Sequence, residues 1–412
     1  MRDTDGYFDK ERELRVSEGW GRWAAGRDDP EFLRMIAWAE YPLTAAYINR
    51  RVSGDEGLDW LGWVGRRYFP EPATLGLSLG CGSGNVERRA LELGLASEME
   101  AVDVSEQALS VAREAGAGLP VDYSRLDLDS DELIADRYDL VVSAAALHHV
   151  TNLEHCLAQV HRSLKHQGLF VLNEFVGPDR FQWPDWQLDA VNDAFSVLPE
   201  RLRHNRMTGE WQDSVKRKPL ANMIEADPSE AVRSSEIREL VGRFFEVLES
   251  VEIGGTLLHP LLEGIVGNFL EESDGDRALI NALIALEESK LADGSVPSDF
   301  VVMVCRKRQP EVALEEAMSK GSVKMDIITR QEREILELDA RLVEAEGKNR
   351  ELAQALDEQG AELGRVQADR DLLERENVAL KSRGPLKYAR LLKGRLTHGR
   401  SASAGGQGNA DG

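Results

Sequence analysis

Cysteine is scarce in this 412-residue chain, and its three cysteines, Cys81, Cys156 and Cys305, lie far apart. No two of them form a CxxC pair, so the sequence offers no zinc-knuckle or thioredoxin-like pattern, and we expect no metal site. A sparse, odd set of cysteines is typical of proteins in the reducing cytosol, which predicts a cytoplasmic location.

Long apolar runs and an excess of positive charge are also absent. No apolar stretch is long enough to span a bilayer, and the polar start of the chain, residues 1–5, is not followed by the apolar core of a signal peptide. The formal net charge is -23. Because contacts with phosphate need lysine and arginine, we expect no nucleic-acid partner.

Two regions of different patterning make up the first three quarters of the chain. In residues 1–70 aromatic side chains recur at roughly helical spacing, which predicts a helical N-terminal cap. Residues 71–308 alternate short apolar runs with helical patterns, which predicts an α/β fold in which helices cover both faces of a parallel sheet. The predicted strands are residues 74–79, 99–102, 121–126, 140–143, 169–172, 245–253 and 300–305.

Residues 176–235 interrupt this alternation and are rich in Trp, Arg, Asp and Pro. We interpret them as a lid inserted over the edge of the sheet. Phe181 and Trp183 could stack on a sugar face, and Arg180 could hold a phosphate or carboxylate of a substrate. The same aromatic side chains could instead pack the lid onto the domain.

A change of composition marks residues 325–382, where Glu, Leu, Arg, Ala and Gln dominate. With Ile335 at heptad position a, apolar residues fill most a and d positions, which predicts a C-terminal coiled-coil helix. Asn349 and Asn377 fall at a positions, and asparagine there favours a parallel pair, so we expect a homodimer. The seam also contains Leu338, Leu342, Ala345, Leu352, Leu356, Leu363, Val366, Leu373 and Leu380.

Two short segments follow the predicted coil. Residues 384–400 are basic and amphipathic on an otherwise acidic chain, and they fit either a peripheral contact with an anionic membrane surface or a solvated helical cap. Residues 401–412 are rich in Gly, Ala and Ser, which predicts a disordered tail.

The strongest local motif is a glycine turn between a predicted strand and a predicted helix. Gly80, Gly82 and Gly84 follow the first apolar run at alternate positions. Glycine lets the backbone turn tightly and approach a ligand closely. The GxGxG spacing differs from the GxGxxG of a typical NAD site. Cys81 has no basic neighbour in the sequence, so we interpret it as a small packing residue of the turn.

Polar residues end the next three apolar runs, where ligands of open α/β sheets bind. Asp103 lies about twenty residues past the glycines, beside Val104, and a carboxylate there can accept hydrogen bonds from both hydroxyl groups of a ribose. Asp127 can bond the amino group of an adenine while Leu128 packs on its ring. Ser143 ends the fourth run and borders the same crevice.

Together these motifs resemble those of the class I S-adenosylmethionine-dependent methyltransferases. Residues 80–84 resemble the family's glycine motif, and residues 146–150 resemble the segment after its fourth strand. Asp103 matches its ribose-binding acid and Asp127 its adenine-site acid. The resemblance implies a Rossmann-like, mostly parallel seven-stranded sheet and S-adenosylmethionine as the cofactor. Ser78 departs from the pattern, because the family usually has an acid there that helps to hold the methionine end of the cofactor.

Three residues are candidates for the general base of the methyl transfer that this resemblance implies. His148 and His149 come just after the fourth predicted strand, and histidine titrates near neutral pH. Glu174, at the end of the fifth strand, is another candidate base or an acceptor of a sugar hydroxyl. Each residue also has a purely structural interpretation, the histidines as part of the fold and Glu174 as a solvated strand-end acid.

The segment 173–183, and the pairing of such a domain with a coiled coil and a basic tail, are similar to methyltransferases of bacterial surface-polysaccharide (O-antigen) synthesis. This resemblance implies O-methylation of a sugar or glycan hydroxyl at the inner face of the membrane. Two alternatives stay open. One is a small-molecule O- or N-methyltransferase of secondary metabolism, and the other is an inactive scaffold that recruits partners through its coil.

Overall fold

The computed structural model of the chain describes residues 37–308 and 314–381. The chain divides into two compact units, Met1–Glu337 and Leu338–Gly412. The first 36 residues of the predicted N-terminal cap, the basic segment 384–400 and the tail 401–412 lie outside the described residues, so those predictions stay as they are.

A seven-stranded sheet forms the centre of the first unit, with the order β3-β2-β1-β4-β5-β7-β6. Strands β1 to β5 are parallel, and β7 runs antiparallel between β5 and β6. The predicted mostly parallel seven-stranded sheet is therefore confirmed. The strands are β1 (Ala73–Leu79), β2 (Ala96–Asp103), β3 (Val121–Arg125), β4 (Tyr138–Ala144), β5 (Leu164–Phe175), β6 (Phe245–Gly254) and β7 (Phe300–Lys307).

Helices cover both faces of this sheet. In β4, Val141 belongs to one apolar core, while its neighbours Leu140 and Val142 belong to another. Because successive side chains of a strand point to opposite faces, both faces of the sheet are buried. The helices are α1 (Pro42–Ser53), α2 (Trp60–Tyr68), α3 (Asn85–Glu92), α4 (Glu106–Ala115), α5 (Leu153–Ser163), α6 (Asp185–Ser196), α7 (Leu220–Ala226), α8 (Ile237–Phe244), α9 (Leu258–Leu262), α10 (Asp274–Ala292) and α11 (Leu314–Lys381).

The region predicted as a lid, residues 176–235, contains helices that pack into an apolar core outside the sheet. It contains α6, α7 and short 3₁₀ turns at Asp179–Phe181, Glu200–Leu202 and Ser234–Glu236. Phe195 of α6 packs in one cluster with Tyr47 of α1 and Leu261 of α9. The lid region therefore shares its core with α1 and α9, elements that lie outside the predicted insertion.

Helix α11 begins within the first unit and continues into the second. In the first unit, Gly321 lies against Asn152 and Glu154, and Glu332 is buried in an ion pair with Arg180. In the second unit, the leucine and valine residues of the predicted seam from Leu338 to Leu373 are exposed, from 54% for Leu338 to 67% for Leu356. The coiled-coil assembly itself stays a prediction. No helix among the described residues is long and apolar enough to cross a membrane.

Candidate functional site

The glycine turn joins β1 to α3 in a left-handed backbone conformation. Gly80, Gly82 and Gly84 have φ values of 58°, 54° and 82°, which other residues rarely adopt. A Cβ atom at Gly80 would lie 2.6 Å from the Cβ of Ala146, so the turn and the segment after β4 are in close contact. At Gly82 no described atom lies within 4 Å of the Cβ position, which leaves the backbone open to a ligand.

Asp103 holds this turn to the end of β2. One carboxylate oxygen accepts a hydrogen bond from the Gly82 amide at 2.9 Å, and the other accepts from the Ser105 amide at 2.8 Å. Burial raises the pKa of Asp103, and the backbone amides oppose that effect. The sequence placed Asp103 at the cofactor site, and the structure adds that it also supports the loop.

The loop after β3 brings Asp127 and Leu128 to the same edge of the sheet. Asp127 folds back on its own loop, because its carboxylate accepts hydrogen bonds from the Asp129 amide at 2.9 Å and the Ser130 hydroxyl at 3.2 Å. Leu128 is half-buried and packs against the core. Val104 is half-buried, and its carbonyl oxygen accepts a hydrogen bond from Arg125.

These residues fit the shape and chemistry of an S-adenosyl group. The open backbone at Gly82 provides a cradle, Asp103 provides acceptors at the strand end, and Leu128 provides an apolar surface. Ser78 is buried in β1, while Ser143 is the last residue but one of β4 and donates its hydroxyl to Glu174.

Glu174, at the end of β5, organises the segment that follows β4. One of its oxygens accepts from the amides of Ala146 and Leu147, both at 2.6 Å, and from the Ser143 hydroxyl at 3.2 Å. The other oxygen lies 2.8 Å from Nδ1 of His148. Because a carboxylate can only accept, Nδ1 of His148 is the donor, and its Nε2 faces the remaining cluster. Glu174 is buried, so the interpretation as a solvated strand-end acid does not hold.

His148 and His149 face a loop of the lid region. Nε2 of His148 lies 3.6 Å from a carboxylate oxygen of Glu230, and Nδ1 of His149 lies 3.1 Å from the Ser229 hydroxyl and 3.9 Å from Asp227. Sequence patterning did not identify these three partners, because the loop has neither helical nor strand periodicity.

The two histidines differ in their electrostatic surroundings. Burial lowers the pKa of His148, but the carboxylates of Glu174 and Glu230 outweigh it, so the pKa lies above the ordinary value. Burial, the charge of His148 and that of Arg180 hold the pKa of His149 well below its ordinary value. Burial raises the pKa of Glu230 to about 7. His148 is therefore the histidine that favours a bound proton.

The same cluster has donor atoms at a spacing that a divalent cation could bridge. His148, His149 and Glu230 each offer one atom within 4.8 Å of the others. The sequence predicted no metal site, and it gave no sign of Glu230. Such a spacing also suits groups that share protons, and each histidine already has a hydrogen-bond partner.

Of the lid residues named as substrate contacts, Arg180 and Trp183 are buried and Phe181 is half-buried. Arg180 is buried, donates to the carbonyl oxygens of Pro228 and Glu230, and pairs with Glu332. This set of partners gives Arg180 a structural role in place of the phosphate or carboxylate that the sequence suggested. Trp183 is 2% exposed and stacks on Phe181, which is the packing role that the sequence left open.

A cradle for a nucleoside at the ends of β1 and β2, on a sheet of this order, defines a Rossmann-like methyltransferase domain. Residues 77–172 match the family described as "Methyltransferase domain". The chain is 30% identical over 192 residues to the ubiquinone biosynthesis O-methyltransferase of Methylobacterium sp., covering 45% of this chain and 69% of that protein. The chain belongs to the class I S-adenosylmethionine-dependent methyltransferases, and S-adenosylmethionine is its cofactor.

Other similar proteins match over shorter stretches or at lower identity. The malonyl-[acyl-carrier protein] O-methyltransferase of Halalkalibacterium halodurans is 31% identical over 136 residues, which cover 32% of this chain and 47% of that protein. The chain thus spans about half the length of this relative. An S-adenosylmethionine-dependent methyltransferase structure from Mesorhizobium loti has 21% identity and a TM-score of 0.34, covering 60% of this chain and 98% of that one.

Proposed function

We propose that this chain transfers a methyl group from S-adenosylmethionine to a hydroxyl oxygen of a sugar or glycan, with His148 as the general base. The observation that carries the proposal is the buried pair of His148 and Glu174 beside the glycine turn. An alcohol is a weak nucleophile, and a positioned base that takes its proton during the transfer accelerates the displacement.

His148, Glu174 and two backbone amides have different roles in this transfer. Glu174 fixes the Nδ1–H tautomer of His148, which leaves Nε2 to accept the proton of the acceptor hydroxyl. The amides of Ala146 and Leu147 hold Glu174 in place, so the pair cannot rotate freely. When bound, S-adenosylmethionine supplies a methyl group on a positively charged sulfur. The glycine turn positions the cofactor and His148 positions the acceptor hydroxyl, so the hydroxyl oxygen can approach the methyl group in line with the sulfur.

Oxygen as the methylated atom is supported by the relatives described above, which are two kinds of O-methyltransferase. A sugar acceptor is supported by the resemblance of residues 173–183 to surface-polysaccharide methyltransferases. It is also supported by the polar groups around His148, since Asp227 and Glu230 can accept hydrogen bonds from further hydroxyl groups. Because Trp183 and Phe181 are packed against each other, hydrogen bonds and not stacking on these two rings would select the sugar.

Release of S-adenosylhomocysteine by the purified full chain tests this proposal. The acceptor panel contains sugars, nucleotide sugars and polysaccharide fragments on one side, and phenols, carboxylic acids and amines on the other. We expect turnover with a sugar class and its loss in His148→Gln. Turnover with phenols or amines alone would establish the small-molecule alternative. A folded chain that binds no S-adenosylmethionine would support the scaffold alternative.

We also propose that a second copy of this chain pairs in parallel with residues 338–379. The support is the heptad seam with asparagine at positions 349 and 377, and the exposure of Leu352, Leu356 and Leu363 in the single chain. Light scattering of the full chain measures the mass. We expect a dimer that becomes a monomer in Leu352→Asp/Leu356→Asp but not in the matched variant Glu351→Asp/Glu358→Asp.

A peripheral membrane contact through residues 384–400 is proposed from their basic, amphipathic sequence. Flotation with vesicles that contain anionic phospholipid tests it at low and physiological salt. We expect binding that needs the anionic lipid and weakens with salt. No flotation under either condition would leave a cytoplasmic protein without this contact.

A further inference from the structure

Glu87 occupies an unusual place for an acidic side chain. It is the third residue of α3, the helix that begins directly after the glycine turn, and it is 0% exposed. Neither of its carboxylate oxygens has a hydrogen-bond partner among the described residues. Buried carboxylates in folded proteins are normally paired or hydrogen-bonded, so an unpartnered one needs an explanation.

The surroundings of Glu87 place it under the turn that cradles the cofactor. A Cβ atom on Gly84 would lie 2.8 Å from one oxygen of Glu87 and 2.7 Å from the hydroxyl of Tyr123. That Tyr123 hydroxyl also lacks a hydrogen-bond partner among the described residues. Burial raises the pKa of Glu87, while the nearby hydroxyls of Ser78 and Tyr123 oppose the shift.

The nearest cation does not form an ion pair with Glu87. The guanidinium group of Arg88 donates to the carbonyl oxygen of Ser83 at 2.7 Å and to the side chain of Asn85. No ion pair to Glu87 occurs in the part of the chain that the structure describes. The site therefore places an acidic side chain without an ion-pair partner among the described residues beneath the turn of the cofactor site.

The cofactor and its product differ in charge at this place. S-adenosylmethionine carries a sulfonium and an ammonium group against one carboxylate, so it has a net positive charge. S-adenosylhomocysteine has lost the sulfonium charge and is neutral overall. A buried anion acts over a longer distance than an exposed one, because less solvent screens it.

We propose that Glu87 is a specificity residue of the cofactor site, a buried negative charge beneath the glycine turn that favours cationic S-adenosylmethionine over its neutral product. It acts on the cofactor through space. Ser78, the neighbouring residue of β1, is uncharged, although the family usually has an acid at its position. Glu87 then supplies the acidic group of the cofactor site from helix α3 and not from strand β1. Preference for the substrate over the product assists release after each transfer.

Calorimetric titration of the full chain with S-adenosylmethionine and with S-adenosylhomocysteine tests the proposal without any acceptor. The variants are Glu87→Gln, which removes the charge but keeps the shape, and Ser78→Asp/Glu87→Gln, which moves the acid to β1. The matched control is Glu92→Gln, which changes an exposed acid of the same helix.

We expect Glu87→Gln to raise the Kd of S-adenosylmethionine roughly tenfold and that of the product less than about twofold. The double variant should recover most of the wild-type ratio, and Glu92→Gln should keep it. Equal changes in both constants, or no change in either, would overturn the proposal, because a purely structural role affects both ligands alike. If Glu87→Gln does not fold, Glu87→Asp, which keeps the charge on a shorter side chain, decides: a wild-type ratio supports the role of charge, and a lost ratio refutes it.

Discussion

Replacement of Glu174 by glutamine tests His148 as the general base, because it changes which ring nitrogen of His148 carries the hydrogen. The oxygen that accepts from the Ala146 and Leu147 amides can stay in place as the amide oxygen of glutamine. The NH₂ group then faces Nδ1 of His148, where the carboxylate oxygen lies at 2.8 Å. Two donors cannot face each other, so Nδ1 must become the acceptor and Nε2 must carry the hydrogen. Nε2, which we propose takes the proton of the hydroxyl group to be methylated, then already carries a hydrogen and cannot act as the base.

The size of the effect follows from what Glu174→Gln keeps and what it removes. It keeps the volume and the two backbone contacts, so we expect a loss of about 1–2 kcal/mol in the free energy of unfolding, the difference between a charged and a neutral hydrogen bond. The carboxylate of Glu174 is the largest influence that raises the pKa of His148 against burial, so that pKa should fall. A base with the wrong tautomer should slow methyl transfer by about 10²–10⁴-fold.

Nitrogen-15 NMR of the imidazole rings reports the tautomer directly, with His148→Gln used to assign the signal. Titration of S-adenosylmethionine serves as the binding control, and Glu98→Gln, an exposed acid on β2, serves as the matched variant. We expect a tautomer switch at His148 together with a slow transfer rate and an almost unchanged Kd. An Nδ1–H tautomer in Glu174→Gln, or an undiminished rate beside a switched tautomer, would refute the assignment of His148 as base.

Three further predictions concern buried acids. Asp103→Asn should weaken S-adenosylmethionine binding by about 30-fold or more, since charged acceptors contribute about 1.5–3 kcal/mol per hydrogen bond; calorimetry measures it. Asp299→Asn should flatten the fall of stability with pH. Burial and the charge of Glu287 raise the pKa of Asp299 to about 7 from 3.8. The buried carboxyl therefore costs no stability below pH 3.8, and between pH 3.8 and pH 7 it costs progressively more. At about 1.4 kcal/mol per pH unit, the loss in the free energy of unfolding approaches about 4 kcal/mol. Glu332→Gln should destabilise the chain by about 3 kcal/mol, because it removes the negative charge that pairs with the buried Arg180.

Each of these predictions has its own control and its own contrary result. For Asp103, the exposed Asp122→Asn on β3 should bind normally, and equal binding by both variants would contradict the ribose role. For Asp299, denaturation should separate the two proteins more at pH 8 than at pH 5, and an equal difference at both pH values would contradict the buried charge. For Glu332, the exposed Glu334→Gln on the same helix should be neutral, and an equally neutral Glu332→Gln would contradict the ion pair.

The sheet and the cofactor turn could be predicted because their signals are local. Apolar runs of strand length alternate with helical patterns, and the residues 80–84 turn follows the first run directly. All seven predicted strands overlap the observed ones, and their C-terminal ends, where the site residues lie, agree within a few residues. The position of Asp103 followed from the end of a strand, and that is a feature that sequence patterning locates well.

The part of the site around His148 and His149 is formed by segments that are distant in the sequence. Sequence patterning does not locate contacts of that kind. Asp227, Ser229 and Glu230 come from a loop without periodicity. Arg180 holds that loop through two of its carbonyl oxygens, and the Val232 amide donates a hydrogen bond to the carbonyl oxygen of His148. For Glu87 a signal did exist in the sequence. It lies three and four residues before Ala90 and Leu91, on the apolar face of α3, where an acid is out of place.

The three buried acids of the site differ in what holds them, and this difference decides how each can be tested. Asp103 and Glu174 both accept hydrogen bonds from backbone amides of a loop that follows a strand, so each supports its loop as well as serving a ligand. For Glu174 an amide substitution keeps both loop amides on one oxygen. For Asp103 it turns an NH₂ group toward the Gly82 or the Ser105 amide, so that test reports on the loop as well as on the charge. Glu87 has no such amide to support, so a structural role predicts little loss of ligand discrimination in Glu87→Gln. A change in the ratio of cofactor to product affinity at Glu87 alone would therefore identify charge, and not loop geometry, as its contribution.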